Sequence, residues 1–392
     1  MILSVHRTSD KEECTMDKEK DFLKRLGANI HRRRLILGWE VGDVASRLGI
    51  KRGTYSKLEK GLARMTDELF ASISDLFKMS AAVLLAEQPK CEYRFFRKNA
   101  RQTKRETALI EQATLDGIRK LKDYVALEDW LGEKCEFDGL LKSDFARGAK
   151  ESVEEFAMRV RAGLRGRGWE ANENLAEILE KYGVKIFAIP LPVANCFGFS
   201  FCSEGKCGIL INNDPQIPVE RQLFTLAHEL GHLLLHGDGD FVNVAEDDVK
   251  KKECEAQHFA GRLLLPDDEF CAAWQASAGM SWVERVMAVK RRFRVSYKTI
   301  LYRLSEGKGR KESGTIFAAF PRAYEQRYGQ KLSGKMEPQP YPFSAFESQR
   351  FSLLALEAFK RGEITMSRLA ELLERDLFET REIVNAAYGK VG

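Results

Sequence analysis

The chain has 392 residues, of which 44% are hydrophobic and 31% charged, and its formal net charge is +5. This length predicts two or three domains, and the hydrophobic fraction is sufficient for buried cores. No apolar run approaches the roughly 18 residues of a membrane span. The first residues, MILSVHRTSDKEECTMDKEK, also lack the apolar run of a signal peptide.

Cysteine usage bears on the compartment. The chain has eight cysteines, and none forms a CxxC pair, which excludes the spacing of zinc ribbons and thioredoxin-like redox motifs. A cytoplasmic chain with reduced thiols is the simplest interpretation.

Positive charge is concentrated near the N-terminus, directly after residues 1–21, which are expected to form a polar tail. Between Phe22 and Gly61 the sequence has ten Lys or Arg residues and three acidic residues, a net charge of +7. So local an excess is typical of a surface that binds phosphate groups. A solvated helix face with no partner is the alternative interpretation of the same charge.

Three helical segments follow one another in this basic region. FLKRLGANIHRRRLILG ends at Gly38, EVGDVASRLGI contains Gly49 at its end, and KRGTYSKLEKG ends at Gly61. Two short helices joined by a tight turn containing glycine predict a helix-turn-helix unit, whose second helix lies in the DNA major groove. The residues expected to contact DNA are Lys51, Arg52, Thr54, Tyr55 and Lys57.

The stretch DVASRLGIKRGTYSKLEKG resembles the Xre/lambda-repressor family over about residues 22–88. In that family a small core alanine, a turn glycine and a glutamate near the end of the recognition helix recur, and here they correspond to Ala45, Gly49 and Glu59. The family usually has a glutamine that touches phosphate at the start of the first of these two helices, where this chain has Val41. The resemblance implies binding to double-stranded DNA, and a protein-interaction module is the alternative that Val41 raises.

A second globular region is predicted after a helical connector at residues 89–150. ESVEEFAMRVRAGLRGRG and NENLAEILEKYG have helical patterns, and VKIFAIPL is strand-like. CFGFSFCSEGKCGILIN predicts a hairpin with a polar turn at Gly205. We expect this hairpin to bind an extended peptide as an added strand, with Phe199 and Ile209 contributing to that binding.

The helix FTLAHELGHLLLHG carries three of the six histidines of the chain. His228 and His232 are four residues apart, so their rings lie on one helix face. Glu229 follows the first histidine, which completes the HExxH pattern of two zinc ligands and a general base. Two core histidines joined by hydrogen bonds would be the structural alternative.

A third metal ligand is expected from the following helix, DDVKKKECEAQHFAGRLLLP, which offers Glu253 and Glu255. Glu253 is favoured because small residues share its helix face and permit close packing, and Glu255 stays as the alternative. Gln257 is expected to form a hydrogen bond with a liganding histidine. His236 lies one further turn along the first helix and is expected to support the site rather than bind the ion.

FTLAHELGHLLLHG followed by ECEAQHFAGRLLLP resembles the ImmA/IrrE family of bacterial zinc metallopeptidases, over about residues 151–270. The spacing is similar to the gluzincin arrangement. The resemblance implies cleavage of Xre-type repressor proteins in a stress response or during excision of a mobile element. Some members carry their own Xre-type domain, and others with that architecture act as regulators without established proteolysis.

The C-terminal third is expected to be helical, with an extension at 271–312 and a domain at 313–392. Acidic residues along the last helices favour dimerisation or partner docking over DNA binding. The predicted fold class is therefore multidomain and mainly α: an all-α helix-turn-helix domain, an α+β zincin-like metallopeptidase domain and a helical C-terminal region.

Three functions are compatible with this organisation. The first is a DNA-associated zinc endopeptidase with Glu229 as its base, Zn²⁺ as its cofactor and a repressor-type protein as its substrate. The second is a dimeric Xre-type transcriptional regulator whose zinc domain senses a ligand or stabilises the fold. The third is an interaction protein of antitoxin type. Glu229 favours the enzyme, because a structural zinc site is usually closed by four protein ligands and needs no base.

Overall fold

The computed structural model describes residues 6–87, 93–95, 103–135, 147–148, 150–166, 169, 175–236, 246–332, 336–342 and 349–389. It is mostly helical with one small sheet, in agreement with the expected mainly α class. The chain divides into two compact units, residues 1–90 with 98–116 and residues 91–97 with 117–392. Within the described ranges, no helix is long and apolar enough to cross a membrane.

The first unit is built from helices that surround one small core. The helices are α1 (His6–Leu37), α2 (Val41–Arg47), α3 (Arg52–Glu59), α4 (Asp67–Phe77), α5 (Ala81–Leu85) and the beginning of α6 (Lys104–Leu131). Helix α1 begins within the segment expected to be a tail. Gly49 has a φ of +66° between α2 and α3, a conformation that side chains with a Cβ rarely adopt. Ala45 and Val44 of α2 are buried in the core of this unit.

The second unit contains the sheet. Its strands are β1 (Tyr93–Phe95), β2 (Lys185–Ile189), β3 (Gly198–Ser203) and β4 (Lys206–Asn212), in the spatial order β1-β3-β4-β2. The predicted hairpin is present: β3 and β4 are antiparallel, and Gly205 in their turn has a φ of +71°. Strand β2 pairs with β4 in parallel, and β1 pairs with β3 antiparallel.

The hairpin does not offer the peptide-binding edge that its sequence suggests. Strand β3 lies between β1 and β4, so both of its edges are already paired over residues 200–202. Phe199 and Ile209 have no exposed surface and belong to the interior. The expectation that these two side chains contact a substrate is therefore wrong, because their faces of the sheet are covered by the core.

Helices pack around this sheet in the second unit. They are α7 (Val153–Gly166), α8 (Leu175–Lys181), α9 (Val219–His236), α10 (Glu246–Leu264), α11 (Asp267–Ala276), α12 (Trp282–Phe293), α13 (Tyr297–Ser305), α14 (Arg310–Tyr328), α15 (Arg350–Lys360), α16 (Met366–Leu373) and α17 (Leu377–Tyr388). One hydrophobic cluster includes buried residues of β2, β3 and β4 and of α7 to α14. It fixes α9 and α10 against each other and α9 against the sheet.

Gly231 sets the distance between α9 and α10. A Cβ atom at this position would lie 2.9 Å from Cδ1 of Phe259 and 3.3 Å from Cα of Ala256. Phe259 and Ala256 are fully buried. Any side chain at position 231 would therefore push the two helices apart, so the glycine is required by close approach.

The C-terminal helices of the second unit are anchored to the second half of α6. Arg350 donates to Glu128 at 3.1 Å, and Arg368 donates to Asp123 at 2.5 Å. Glu374, one of the acidic residues along the last helices, pairs with Lys120 at 2.9 Å. Part of the acidic character of these helices is thus used within the chain.

The cysteine expectation needs one correction. Cys202 and Cys207 are directly opposite each other on β3 and β4, with Cα atoms 4.2 Å apart, and they form a disulfide. The sequence shows no CxxC spacing here because a hairpin brings together residues that are five apart. Cys135, Cys196, Cys254 and Cys271 are not disulfide-bonded.

Candidate metal centre

Helix α9 places two imidazoles at one point in the second unit. Nε2 of His228 and Nε2 of His232 are 3.1 Å apart, as the four-residue spacing on a helix dictates. Most of the helix around them is buried, including Leu226, Ala227 and Leu230. The apolar face of α9 therefore fixes the direction in which the histidines project.

Helix α10 adds a carboxylate to this pair. Oε2 of Glu253 lies 3.6 Å from Nε2 of His228, and Oε1 lies 3.5 Å from Nε2 of His232. The three residues offer one ligand atom each within 4.8 Å of one another. The close packing that Gly231 permits between α9 and α10 brings Glu253 to this position.

The chemistry and spacing of these donors fit a zinc ion. Zinc binds imidazole nitrogen and carboxylate oxygen at about 2.0–2.2 Å in tetrahedral geometry, so neighbouring donor atoms are about 3.3 Å apart. The observed separations of 3.1, 3.5 and 3.6 Å scatter around that value. Three protein donors also leave one position for water or substrate, as in catalytic sites.

The protonation states of these residues agree with metal binding. Burial lowers the pKa of His232 to about 4, which keeps its imidazole neutral at pH 7. Burial alone would raise the pKa of Glu253, but hydrogen bonds with His228 and His232 outweigh it and hold the pKa well below its usual range. A neutral imidazole and an ionised carboxylate are the forms that bind a cation.

Glu229 projects from α9 toward the sheet and is almost fully buried. Its Oε2 accepts hydrogen bonds from the backbone N–H and the hydroxyl of Ser200 on β3, at 2.8 and 2.9 Å. Burial raises the pKa of Glu229 to about 7, against the opposing effects of His228 and Ser200. A carboxylate with this pKa exchanges a proton readily near neutral pH. Sequence reasoning did not identify Ser200.

A hydrogen-bonded chain extends from His232 away from the centre. Nδ1 of His232 is 3.1 Å from Nδ1 of His236, and Nε2 of His236 is 3.0 Å from Oε2 of Glu255. The Glu255 carboxylate can only accept a hydrogen bond, so His236 Nε2–H donates to it, and His236 Nδ1 accepts a hydrogen bond from His232 Nδ1–H. This arrangement leaves the lone pair of His232 on Nε2, facing His228 and Glu253.

The two candidate glutamates thus occupy different places. Glu253 lies beside His228 and His232, whereas Glu255 contacts His236, which lies away from the three-residue cluster. Gln257 is exposed and lines a cavity. The hydrogen bond to a liganding histidine that was expected from Gln257 is formed by His236, which contacts His232. Glu255 follows Glu253 by two residues, and a helix directs such neighbours to different faces.

In the first unit, the predicted DNA-contacting residues separate into two groups. Lys51, Arg52, Thr54 and Lys57 are exposed at the start of α3 and along it. Tyr55 is fully buried in the core of this unit, so the expectation that it faces DNA is wrong. It lies on the same helix face as buried Leu58, opposite the exposed residues.

Several residues of the basic run are used inside the first unit. Arg34 is buried and donates to both carboxylate oxygens of Glu59 at 2.6 and 3.1 Å, and Arg33 donates to the carbonyl oxygen of Phe77. Val41, at the position where a phosphate-contacting glutamine was expected from the resemblance, packs partly buried against the core. The exposed basic residues between 22 and 61 are Lys24, Arg47, Lys51, Arg52, Lys57 and Lys60.

Comparison with known proteins bears on the second unit. Residues 179–305 match the Peptidase M78 family model, described as an IrrE N-terminal-like domain. The match spans α9 and α10 and hence every residue of the candidate centre, and it supports a metallopeptidase of the ImmA/IrrE family with a metal that is usually zinc. It does not extend to the first unit. No curated protein matches the chain.

Proposed function

We propose that this protein is a zinc-dependent endopeptidase. The observation that carries the proposal is the combination of His228, His232 and Glu253 around one point with Glu229 beside them and buried. A purely structural zinc site would have no use for a buried carboxylate with a pKa near neutrality. The match of residues 179–305 to a peptidase family model also supports it.

In the proposed reaction His228, His232 and Glu253 hold the ion, which when bound supplies a Lewis acid for the peptide carbonyl. Glu229 accepts the proton of the water that attacks the carbonyl carbon. Oε2 stays held by Ser200, and Oε1 has no hydrogen bond to the described residues, so Oε1 receives the proton. The same group then gives that proton to the departing amine nitrogen.

We propose a repressor-type protein as the substrate, in a stress or mobile-element response in the cytoplasm. The resemblance of α9 and α10 to the ImmA/IrrE family supports this class. The first unit supports it as well, because an Xre-like module would bring the peptidase to DNA on which such a repressor sits.

Substrate identification tests the proposal. The purified chain and its Glu229→Gln variant are incubated with lysate of the host, and new protein N-termini are counted by mass spectrometry. The proposal expects new termini in one or a few repressor-sized proteins with the unaltered chain alone. If both proteins leave the lysate unchanged and both shift promoter DNA equally, the chain is a regulator whose zinc domain is not proteolytic.

We also propose that the first unit binds double-stranded DNA through the exposed face of α3. Lys51, Arg52, Thr54 and Lys57 project from that face without the internal partners that occupy Arg33 and Arg34. Replacing Lys51 and Arg52 by Ala is expected to weaken binding and to lower the slope of log affinity against log salt by about 2. Lys78→Asn, which removes an exposed charge elsewhere in this unit, is the matched control. Equal weakening by the control contradicts the assignment.

A further inference from the structure

A large cavity in the second unit is lined by residues of α9 and α10, the helices that carry the candidate metal ligands. It has a volume of about 1120 Å³ and lies in the second unit, between the loops before β3 and after β4, the start of α9, the middle of α10 and α13. Phe224 and Gln257 line it. Phe224 precedes His228 by four residues and Gln257 follows Glu253 by four, so the helix faces that carry the proposed ligands continue into the cavity.

Arg221 differs from the other arginines that line this cavity. Arg262 pairs with Asp267 and Glu306, and Arg303 pairs with Asp267 and Glu306 as well. The guanidinium of Arg221 lies 4.1 Å from the centre of the Phe197 ring, and no described carboxylate lies within ion-pair distance of it. The cation is thus held by an aromatic face and lacks an anion.

The surroundings of Arg221 favour an anionic occupant. Arg221 is accessible to solvent, yet the cavity walls remove part of its hydration and lower its pKa, with no carboxylate to raise it. It lies in the first turn of α9, where the helix dipole adds positive potential. A planar guanidinium stacked on a ring presents its N–H groups to a carboxylate in bidentate geometry.

We propose that this cavity is a binding pocket for a side chain of the cleaved protein and that Arg221 selects glutamate or aspartate there. The inference rests on the proposed peptidase function, because it takes the occupant to be part of the peptide at the metal centre. A free peptide-edge on β3 is absent within residues 200–202, where β1 and β4 pair with it. Side-chain recognition in the cavity would therefore add selectivity that the edge of β3 does not provide.

Peptide binding tests this pocket without the need for turnover. In the Glu229→Gln chain, fluorescence anisotropy is measured with labelled Gly/Ser decapeptide pools that carry one Glu, one Gln or one Lys. The Glu pool is expected to bind about tenfold more tightly than the Gln pool, because only the glutamate side chain brings a negative charge to Arg221. Arg221→Glu should reverse the preference toward the Lys pool, whereas Arg262→Gln, which removes a cation already paired in the same cavity, should keep it. Thermal midpoints confirm that each variant is folded.

Two results would overturn the pocket. One is an unchanged preference for the Glu pool in Arg221→Glu. The other is binding of inorganic phosphate that depends on Arg221 while no peptide pool competes with it, which would identify a small-anion site. If the chain with Glu229 intact cleaves nothing but the peptide pools still show the acidic preference, the peptidase proposal fails and the pocket stands. If the chain cleaves its substrate but shows no acidic preference, the pocket fails and the peptidase proposal stands.

Discussion

Replacing His236 with phenylalanine isolates the contribution of the hydrogen-bonded chain behind the candidate metal centre. The substitution preserves an aromatic ring in a nearly buried place but removes the Nδ1 that accepts from His232 at 3.1 Å. Zinc binding through His232 Nε2 requires the proton on Nδ1, so the variant loses the group that stabilises this tautomer.

The magnitude follows from the burial of His232, whose surface is 3% exposed. Removing the acceptor of a buried donor costs about 1–3 kcal/mol, and loss of such supporting contacts lowers metal affinity by about 10–100-fold. Glu255→Gln should have a smaller effect in the same direction, because the glutamine oxygen still accepts from His236 but without a negative charge.

Competition with a chromogenic chelator measures the zinc dissociation constant of each variant. His258→Phe is the matched control, since this histidine is also close to the centre in sequence but is exposed and lies 3.7 Å from Glu154. Zinc binding by His236→Phe as tight as in the unaltered chain, or an equal loss of affinity in His258→Phe, would refute this role of His236.

Two further substitutions test the packing of α9 on α10 in the second unit and the ion pair of Glu59 with Arg34 in the first unit. Gly231→Ala should lower the free energy of unfolding by about 1–3 kcal/mol and weaken zinc binding, because the added Cβ meets Phe259. Gly261→Ala is the control: it has open space around it and should leave stability unchanged or raise it. Equal denaturation midpoints for the two variants would contradict this. In Glu59, burial opposes ionisation, but hydrogen bonds from His31 and Arg34 lower the pKa to about 2. The stabilisation by Glu59 is therefore complete above pH 4.5, amounts to about 3 kcal/mol, and is lost as the pH falls toward 2. Urea denaturation should show Glu59→Gln to be less stable at pH 7 and nearly equal at pH 2, and a pH-independent difference would refute it.

The local part of the candidate centre could be predicted from sequence because it depends only on helix geometry. A spacing of four residues places His228 and His232 together on any α-helix, and Glu229 follows from the same motif. Glu253 could be preferred over Glu255 only by predicting which face of α10 packs on α9. The small residues on the Glu253 face favoured that face. The hydrogen-bonded chain through His236 depends on the crossing of the two helices, which no local pattern encodes.

Other differences between the sequence predictions and the structure also arise from contacts between residues far apart in the chain. Arg33 donates to the carbonyl oxygen of Phe77, 44 residues away, and Arg34 donates to Glu59, 25 residues away. The number of Lys and Arg residues in the sequence therefore overestimates the basic surface that is available to a partner. Tyr55 is in the core because it lies on the same α3 face as buried Leu58. The recognition-helix pattern does not show which face of α3 is buried. The edge of β3 is covered by β1 from the predicted connector, a pairing across more than 100 residues.

The central claim is that one zinc ion at His228, His232 and Glu253 works with Glu229 as a proton acceptor. The most direct measurement is zinc content by mass spectrometry together with cleavage of the lysate substrate, for the unaltered chain, Glu229→Gln and Glu253→Gln. We expect about one zinc and cleavage in the unaltered chain, about one zinc without cleavage in Glu229→Gln, and little zinc without cleavage in Glu253→Gln. Cleavage by Glu229→Gln at the unaltered rate, or full zinc content in Glu253→Gln, would contradict it.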